Sequence, residues 1–334
     1  MRHDLKPARN HSCWLKVDYA ALFENITRHA AQAPFFDFTV PFLAAIWPHI
    51  EEDMLRSGIE GVLSLNPRDL ITASPSLQRI LKPGFKPGEA GYAPEGLIPV
   101  LSSFSECLSL SNMAQMCDKR LSFLLLVRST DTEFGSGDWG LSSICEKIVN
   151  LPMLDLHGFY LRRPPAANET GVLRKLMHQA EADQGMFVAP LSEESRGIKN
   201  CKPFIAWETL ALEENSKGCF PVEIGFWAFP LHSAPDYQIF QADLGRLHGL
   251  PADFPVQIGG RPAKVVNVQP ETSEYIIDGH FPGPFPVQSH LTGGAQHEPI
   301  DLRLWQKADL QNFLGHIKNC PVYLQKSDGL LELL

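Results

Sequence analysis

The sequence predicts an α/β barrel-like part followed by a mainly β domain, and three observations carry that prediction. Short apolar runs recur at residues 36–40, 61–65, 97–101, 123–127, 154–161 and 186–191. Stretches with helical character, such as 141–150 and 171–182, lie between them, and strands alternating with helices indicate βα units on a parallel sheet. After residue 199 the pattern changes: runs at 203–212, 222–229, 255–258 and 263–268 alternate with Gly- and Pro-rich turns.

The elements follow in order. A helix over 18–32 starts on Asp18 and carries Leu22 and Ile26 one turn apart. Residues 81–94, which include KPGFKPGEAGYAP, break the rhythm and read as an excursion of loop. Gly259-Gly260 between two strand-like runs reads as a hairpin turn. Residues 305–317 read as a late helix and 321–324 as a last strand. There is no internal repeat and no low-complexity tract.

Composition excludes several classes. With 334 residues, 44% hydrophobic and 20% charged, the chain is long enough to bury a substantial core and reads as an ordinary soluble protein. A net charge of −9 argues against nucleic acid or anionic lipid as a partner. No apolar run approaches the roughly 20 residues that span a bilayer. The longest, 38–47, is interrupted by Pro41. The N-terminus MRHDLKPARNHSCW is basic but lacks an apolar signal core. The seven cysteines form no CxxC pair, which suggests reduced thiols in a cytoplasmic protein.

Particular segments resemble a known family. WLKVDYAALFENITRHAAQ (14–32), followed closely by FFDFTVPFLAAIW (35–47), resembles the opening of alanine racemases, the fold-type III enzymes that use pyridoxal phosphate (PLP). RLSFLLLVRSTDTEFGSGDWGLSSICEKIVNLPMLDLHGFYLRRP (120–164) is similar to the segment around their DTGM-R-GF motif. CKPFIAWETLALEENSKGCFPVEIGFW (201–227), QIFQADLGRLHG (238–249) and VQIGGRPAKVVNVQPE (256–271) resemble their C-terminal β-domain. The resemblance implies a TIM-like (β/α) barrel over 18–198, a β-rich domain over 199–334 and an N-terminal strand within 1–17 that joins the β-domain. Few residues separate the run at 186–191 from residue 199, so the sequence leaves open whether an eighth strand completes the barrel. The family's two-chain assembly implies a homodimer, or a heterodimer with an active racemase.

The same resemblance implies catalytic residues that this chain lacks. Racemisation needs a lysine and a tyrosine on opposite faces of the substrate α-carbon, and PLP needs the lysine as its anchor. Phe38 falls near the lysine position and Leu244 near the tyrosine position. Arg162 stands where the family has histidine at a strand end, and Ser195-Arg196-Gly197-Ile198 is similar to a short "vRpGI" remnant. Candidate cavity residues are Asp37, Thr39, Arg128, Asp131, Arg162 and Arg196. Phe35, Phe38 and Phe42 read as core filling the old cavity. Arg162-Arg163 either binds a carboxylate or phosphate at a barrel strand end or makes a surface ion pair, and Arg128 and Asp131 read as partners of each other.

Other motifs read plainly. Gly135–Gly140 is formally GxGxxG but follows its strand too late for a dinucleotide and reads as a turn. Asp278, His280, His290, His297 and Glu298 fit no standard zinc spacing, so no metal is expected. Cys107, Cys145 and Cys219 read as small buried hydrophobes rather than nucleophiles.

Three functions remain open. The first is a pseudoenzyme, binding protein or partner subunit without PLP, in amino-acid or natural-product metabolism. The second is a PLP racemase anchored by a displaced lysine such as Lys82, Lys86 or Lys119. The third is a PLP-independent enzyme acting on a carboxylate-bearing substrate in the old cavity.

Overall fold

The computed structural model describes residues 13–38, 43–84, 96–127, 129–130, 133–136, 139–182, 185–206, 209–210, 213–218, 221–242, 256–258, 261–280, 285–289, 322–326 and 331–333. A first strand, β1 (Cys13–Asp18), leads into helix α1 (Tyr19–Ala30). Then come β2 (Phe35–Phe38), α2 (Leu43–Arg56), β3 (Gly61–Ser64), α3 (Pro67–Ile71), β4 (Gln78–Leu81), β5 (Leu97–Leu101), α4 (Phe104–Met116) and β6 (Leu121–Val127). Three short strands, β7 (Ser129–Thr130), β8 (Glu133–Ser136) and β9 (Trp139–Gly140), precede α5 (Leu141–Ile148). They are followed by β10 (Leu154–Leu161), α6 (Ala167–Gln179), β11 (Met186–Pro190) and β12 (Cys201–Ala206). The rest is strand: β13 (Val222–Ser233), β14 (Tyr237–Ala242), β15 (Val256–Ile258), β16 (Arg261–Val268), β17 (Ser273–Asp278), β18 (Phe285–Ser289), β19 (Val322–Gln325) and β20 (Leu331–Leu333).

The chain divides into two compact units. In the first, eight strands in the order β10-β11-β12-β2-β3-β4-β5-β6 form a closed barrel, and β6 pairs with β10 to complete it. Every one of these pairings is parallel. Closure answers the question the sequence leaves open, since an eighth strand is present. The missing strand is β12, which lies between β11 and β2 and carries the barrel past residue 198 to Ala206. It is easily assigned to the β-domain from sequence because no helix precedes it among the described residues; the crossover at 191–200 is turns. β4 was also unforeseen. Gln78 and Arg79 dilute its apolar character, yet Ile80 and Leu81 are buried.

Local chemistry sets the helix ends. Ser103 caps α4 by accepting the Glu106 N–H, while the Glu106 carboxylate accepts from the Ser102 hydroxyl at 3.0 Å. Asn66 accepts the Arg68 N–H at the start of α3. α4 and α6 both end in a Schellman turn: Lys119 N–H reaches the Ala114 carbonyl, and Ala182 N–H the Met177 carbonyl. The residues that turn left-handed there are Asp118 (φ 49°) and Glu181 (φ 50°), not glycines.

In the second unit, β13, β14, β17, β16, β15 and β18 pair in sequence, all antiparallel, and β18 returns to β13, so the six strands close on themselves. β1 adds to β13 antiparallel and to β19 parallel, and β20 completes the sheet. Phe240, Tyr275 and Ile277 are buried in it, and Ser273 donates to the Tyr275 hydroxyl at 2.6 Å. Ile258 of β15 pairs with Arg261 of β16, with Gly259-Gly260 outside the described residues. The late helix expected over 305–317 also lies outside them. Among the described residues no helix is long and apolar enough to cross a membrane.

Candidate functional site at the mouth of the barrel

Alternation along each barrel strand sorts its side chains into two sets. One set faces the helices: Leu101, Phe123, Leu125, Phe159, Leu161 and Phe187 pack with residues of α4, α5 and α6. The other fills the barrel interior: Phe35, Leu63, Ile80, Val100, Leu126, Tyr160, Val188 and Phe204. One inward step beyond that interior layer are the C-terminal strand ends, the face on which βα barrels build their sites. On β2 that step is Asp37. Just past β4 it is Lys82, and just past β10 it is Arg162.

Two of these groups meet. Lys82 Nζ lies 2.6 Å from Asp37 Oδ2, and the two side chains are 15% and 7% exposed. The ion pairs at the opposite, N-terminal end of the barrel, Lys202–Glu60 and Arg120–Asp155, each have a strongly exposed partner. Exposed pairs contribute little, whereas a buried pair carries a desolvation cost that its geometry must offset. The mouth therefore holds the costly kind.

A backbone irregularity places the third group. β10 pairs with β6 through a bulge between Leu156 and Gly158. Before the bulge Leu154 and Leu156 face the helices; after it Phe159 and Leu161 do, which turns Tyr160 inward. Gly158 is required at this crossing, because a Cβ there would lie 2.3 Å from the Met186 carbonyl oxygen. The Tyr160 ring stacks on Phe204 of β12, centroids 5.9 Å apart and planes at 16°. Burial, the largest influence, pushes the Tyr160 phenol well above its ordinary pKa; the Asp37 charge adds to this and the Arg162 charge opposes it.

The remaining sequence candidates fall as follows. Phe38 turns away from the interior and sets its ring edge-on to Trp47 of α2, centroids 4.7 Å apart. Phe38 therefore does not fill the barrel cavity as expected; the inward side chain at this end of β2 is its neighbour Asp37. Phe35 belongs to the interior cluster as expected core. Arg163 pairs with Glu169 of α6 at 2.7 Å, and Arg162 has no carboxylate partner among the described residues. Arg196 is exposed on the 191–200 crossover, where Ser195 and Ser192 bond each other's N–H groups. Lys119 sits before β6, at the end opposite the mouth. Thr39, Phe42, Lys86, Arg128, Asp131, Cys219 and Leu244 lie outside the described residues, as do His290, His297 and Glu298. Gly135–Gly140 includes a small hairpin in which β8 pairs with β9. Burial pushes the Cys107 and Cys145 thiols up to about 12, which leaves them unreactive at neutral pH. Lys82, in sequence only a conceivable displaced anchor, is brought by the fold to the barrel mouth beside Asp37. Pro83-Gly84 after an apolar pair was the available signal that a strand ends there.

A Schiff-base cofactor such as PLP needs a free amine at the mouth. The inward group on β2 is a carboxylate. The one described amine near it, Lys82 Nζ, has its charge and a short hydrogen bond committed to that carboxylate. These donors do not fit a Schiff-base cofactor in the arrangement described.

No known family model matches the chain, and no curated protein matches it. Solved structures of the same fold do. The alanine racemase of Clostridium difficile 630 aligns with TM-score 0.69 and 11% identity, over 97% of this chain and 98% of that one. The alanine racemase of Bacillus anthracis with bound L-Ala-P aligns with TM-score 0.71 and 12% identity, over 97% of each chain. That of Bartonella henselae with covalently bound pyridoxal phosphate aligns with TM-score 0.66 and 12% identity, over 94% of this chain and 99% of that one. At such identities the likeness establishes the fold.

Proposed function

We propose that this chain, which has the alanine-racemase-like fold, has given up PLP-dependent racemisation and works as a binding protein or partner subunit with its ligand site at the barrel mouth. The observation that carries this reading is the Asp37–Lys82 pair: a carboxylate occupies the inward end of the first barrel strand and holds the nearby amine. An ion pair this sheltered is expensive to keep unless the site uses it. Association with a second copy, or with an active racemase, is the setting proposed for such a subunit. The test is exchange of the α-proton of a panel of amino acids in D₂O, followed by NMR, with PLP added and PLP alone as control. The reading predicts no exchange above the control. Protein-dependent exchange or inversion of any amino acid overturns it.

A second reading has one specific observation in its favour. Lys82 ends a true barrel strand at the mouth, so a PLP enzyme anchored on the third strand rather than the first has a candidate lysine. It requires Asp37 to release that amine. Covalent capture of PLP on Lys82 would establish it.

A further inference from the structure

The barrel fixes the Asp37–Lys82 contact from both ends. The Lys82 N–H donates to the Ser64 carbonyl at 2.8 Å, which carries the β3–β4 pairing one residue beyond Leu81 and sets where the lysine side chain starts. Asp37 stands in register with Leu63 of β3 on one side and with Ala206 of β12 on the other. The pair therefore bridges β3, and the register neighbours of Asp37 are apolar. With Nζ 2.6 Å from Oδ2 and the side chains only 15% and 7% exposed, little water is at hand to replace either partner. Among the described residues, Asp37 supplies the one carboxylate that pairs with Lys82.

Two influences on the Lys82 amine oppose each other. The carboxylate at hydrogen-bond distance favours the ammonium form, and shelter from water favours the neutral amine. Only the neutral form is a nucleophile. Resting on the PLP-free reading above, we infer that Asp37 is an autoinhibitory latch: it holds Lys82 as an ammonium ion and so masks a nucleophilic amine at the barrel mouth. Once the Asp37 charge is removed, desolvation acts alone, and a sheltered lysine without a counter-charge sheds its proton. The chemical class that such an amine takes is the aldehyde. Its lone pair adds to the carbonyl carbon, its two protons leave with the carbonyl oxygen as water, and an imine results. The latch thus accounts for a strand-end lysine that is present at the mouth and silent there.

The test is reductive alkylation of the full chain with propanal at neutral pH, without PLP. Cyanoborohydride delivers hydride to the imine carbon and leaves a stable secondary amine. Peptide mass spectrometry reads the rate at Lys82 against that at Lys175, an exposed lysine of α6. In the wild type Lys82 is expected to react more slowly than Lys175. In Asp37→Asn the Lys82/Lys175 ratio is expected to rise about tenfold or more and to exceed one. Asp37→Glu keeps the charge and is expected to keep Lys82 slow. Circular dichroism checks folding, and an unfolded chain gives a ratio near one because all its lysines are then alike; Asp37→Ser, smaller and uncharged, replaces Asp37→Asn if that variant does not fold. A ratio in the folded neutral variant within about twofold of the wild type overturns the inference, as does a rise of the same size in Asp37→Glu. The PLP-free reading fails separately, by capture of PLP in the wild type, whereas the latch fails by silence of Lys82 in the folded variant.

Discussion

The Asp37–Lys82 pair can be broken from either side, and the consequences are calculable. At 2.6 Å and an effective dielectric constant of about 20, the attraction is on the order of 6 kcal/mol. Desolvation opposes it, so the net value of the pair is far smaller than that figure. Removing one partner is different, because the other charge is then left sheltered and uncompensated, at a typical cost of about 3–5 kcal/mol. Lys82 retains some contact with water, so the lower end, about 3 kcal/mol, applies to Asp37→Asn. For a unit of this size that lowers the thermal transition by roughly 6–12 °C. The double variant Asp37→Asn/Lys82→Met removes the stranded charge and should recover to within about 1 kcal/mol of the wild type. The assay is thermal and urea unfolding of wild type, both single variants and the double variant. Single variants that each cost less than about 0.5 kcal/mol and simply add would show that the pair is open to water and energetically idle, and would refute the reasoning.

Three further outcomes follow from the same geometry. Gly158→Ala places a Cβ 2.3 Å from a backbone oxygen, so it should lower barrel stability by several kcal/mol and perturb Tyr160 fluorescence; a neutral result would mean the β10 bulge is not where it is described. Burial raises the pKa of Glu169, but its hydrogen bonds to Arg163 and the Ala166 N–H, and the Arg163 charge, outweigh burial and leave it lowered. A carboxyl depressed in the folded state stabilises above its unfolded pKa, about 4.3, and loses that contribution as pH falls through the folded value. Glu169→Gln should therefore cost about 1 kcal/mol at pH 7 and progressively less as pH falls below about 4 by urea unfolding, and a cost independent of pH would refute this assignment. Glu181 adopts a left-handed conformation (φ 50°) at an exposed helix end, so Glu181→Gly should stabilise by about 0.5–1 kcal/mol, whereas a loss would show that its side chain does more than occupy the turn.

The barrel was largely legible in the sequence because most of its strands are continuous apolar runs, buried on both faces. LSFLLLV of β6 and MFVAP of β11 are examples. Two strands escaped for opposite reasons. β4 reads QRIL, too short and polar to register as a strand, and β12 reads as the first strand of the β-domain because no helix precedes it. The site followed from those omissions. Without β4, Lys82 is a lysine in a loop; with it, Lys82 is at the barrel mouth. Asp37 was named as a candidate, but its partner could not be inferred from residues 45 positions apart in sequence. Which of Asp37 and Phe38 faces inward depends on register, and a one-residue step exchanges the two faces of a strand. The same holds for Tyr160, whose direction is set by a bulge that no local sequence pattern announces.

The proposed loss of PLP anchoring is open to direct measurement. The purified chain is titrated with PLP and reduced with borohydride, and any modified lysine is mapped by peptide mass spectrometry. A barrel without the anchor gives no saturable imine absorbance and no lysine labelled in stoichiometric yield, and PLP is removed freely by dialysis. A saturable band with a single trapped lysine, above all Lys82, would contradict it and identify the chain as a PLP enzyme with a displaced anchor.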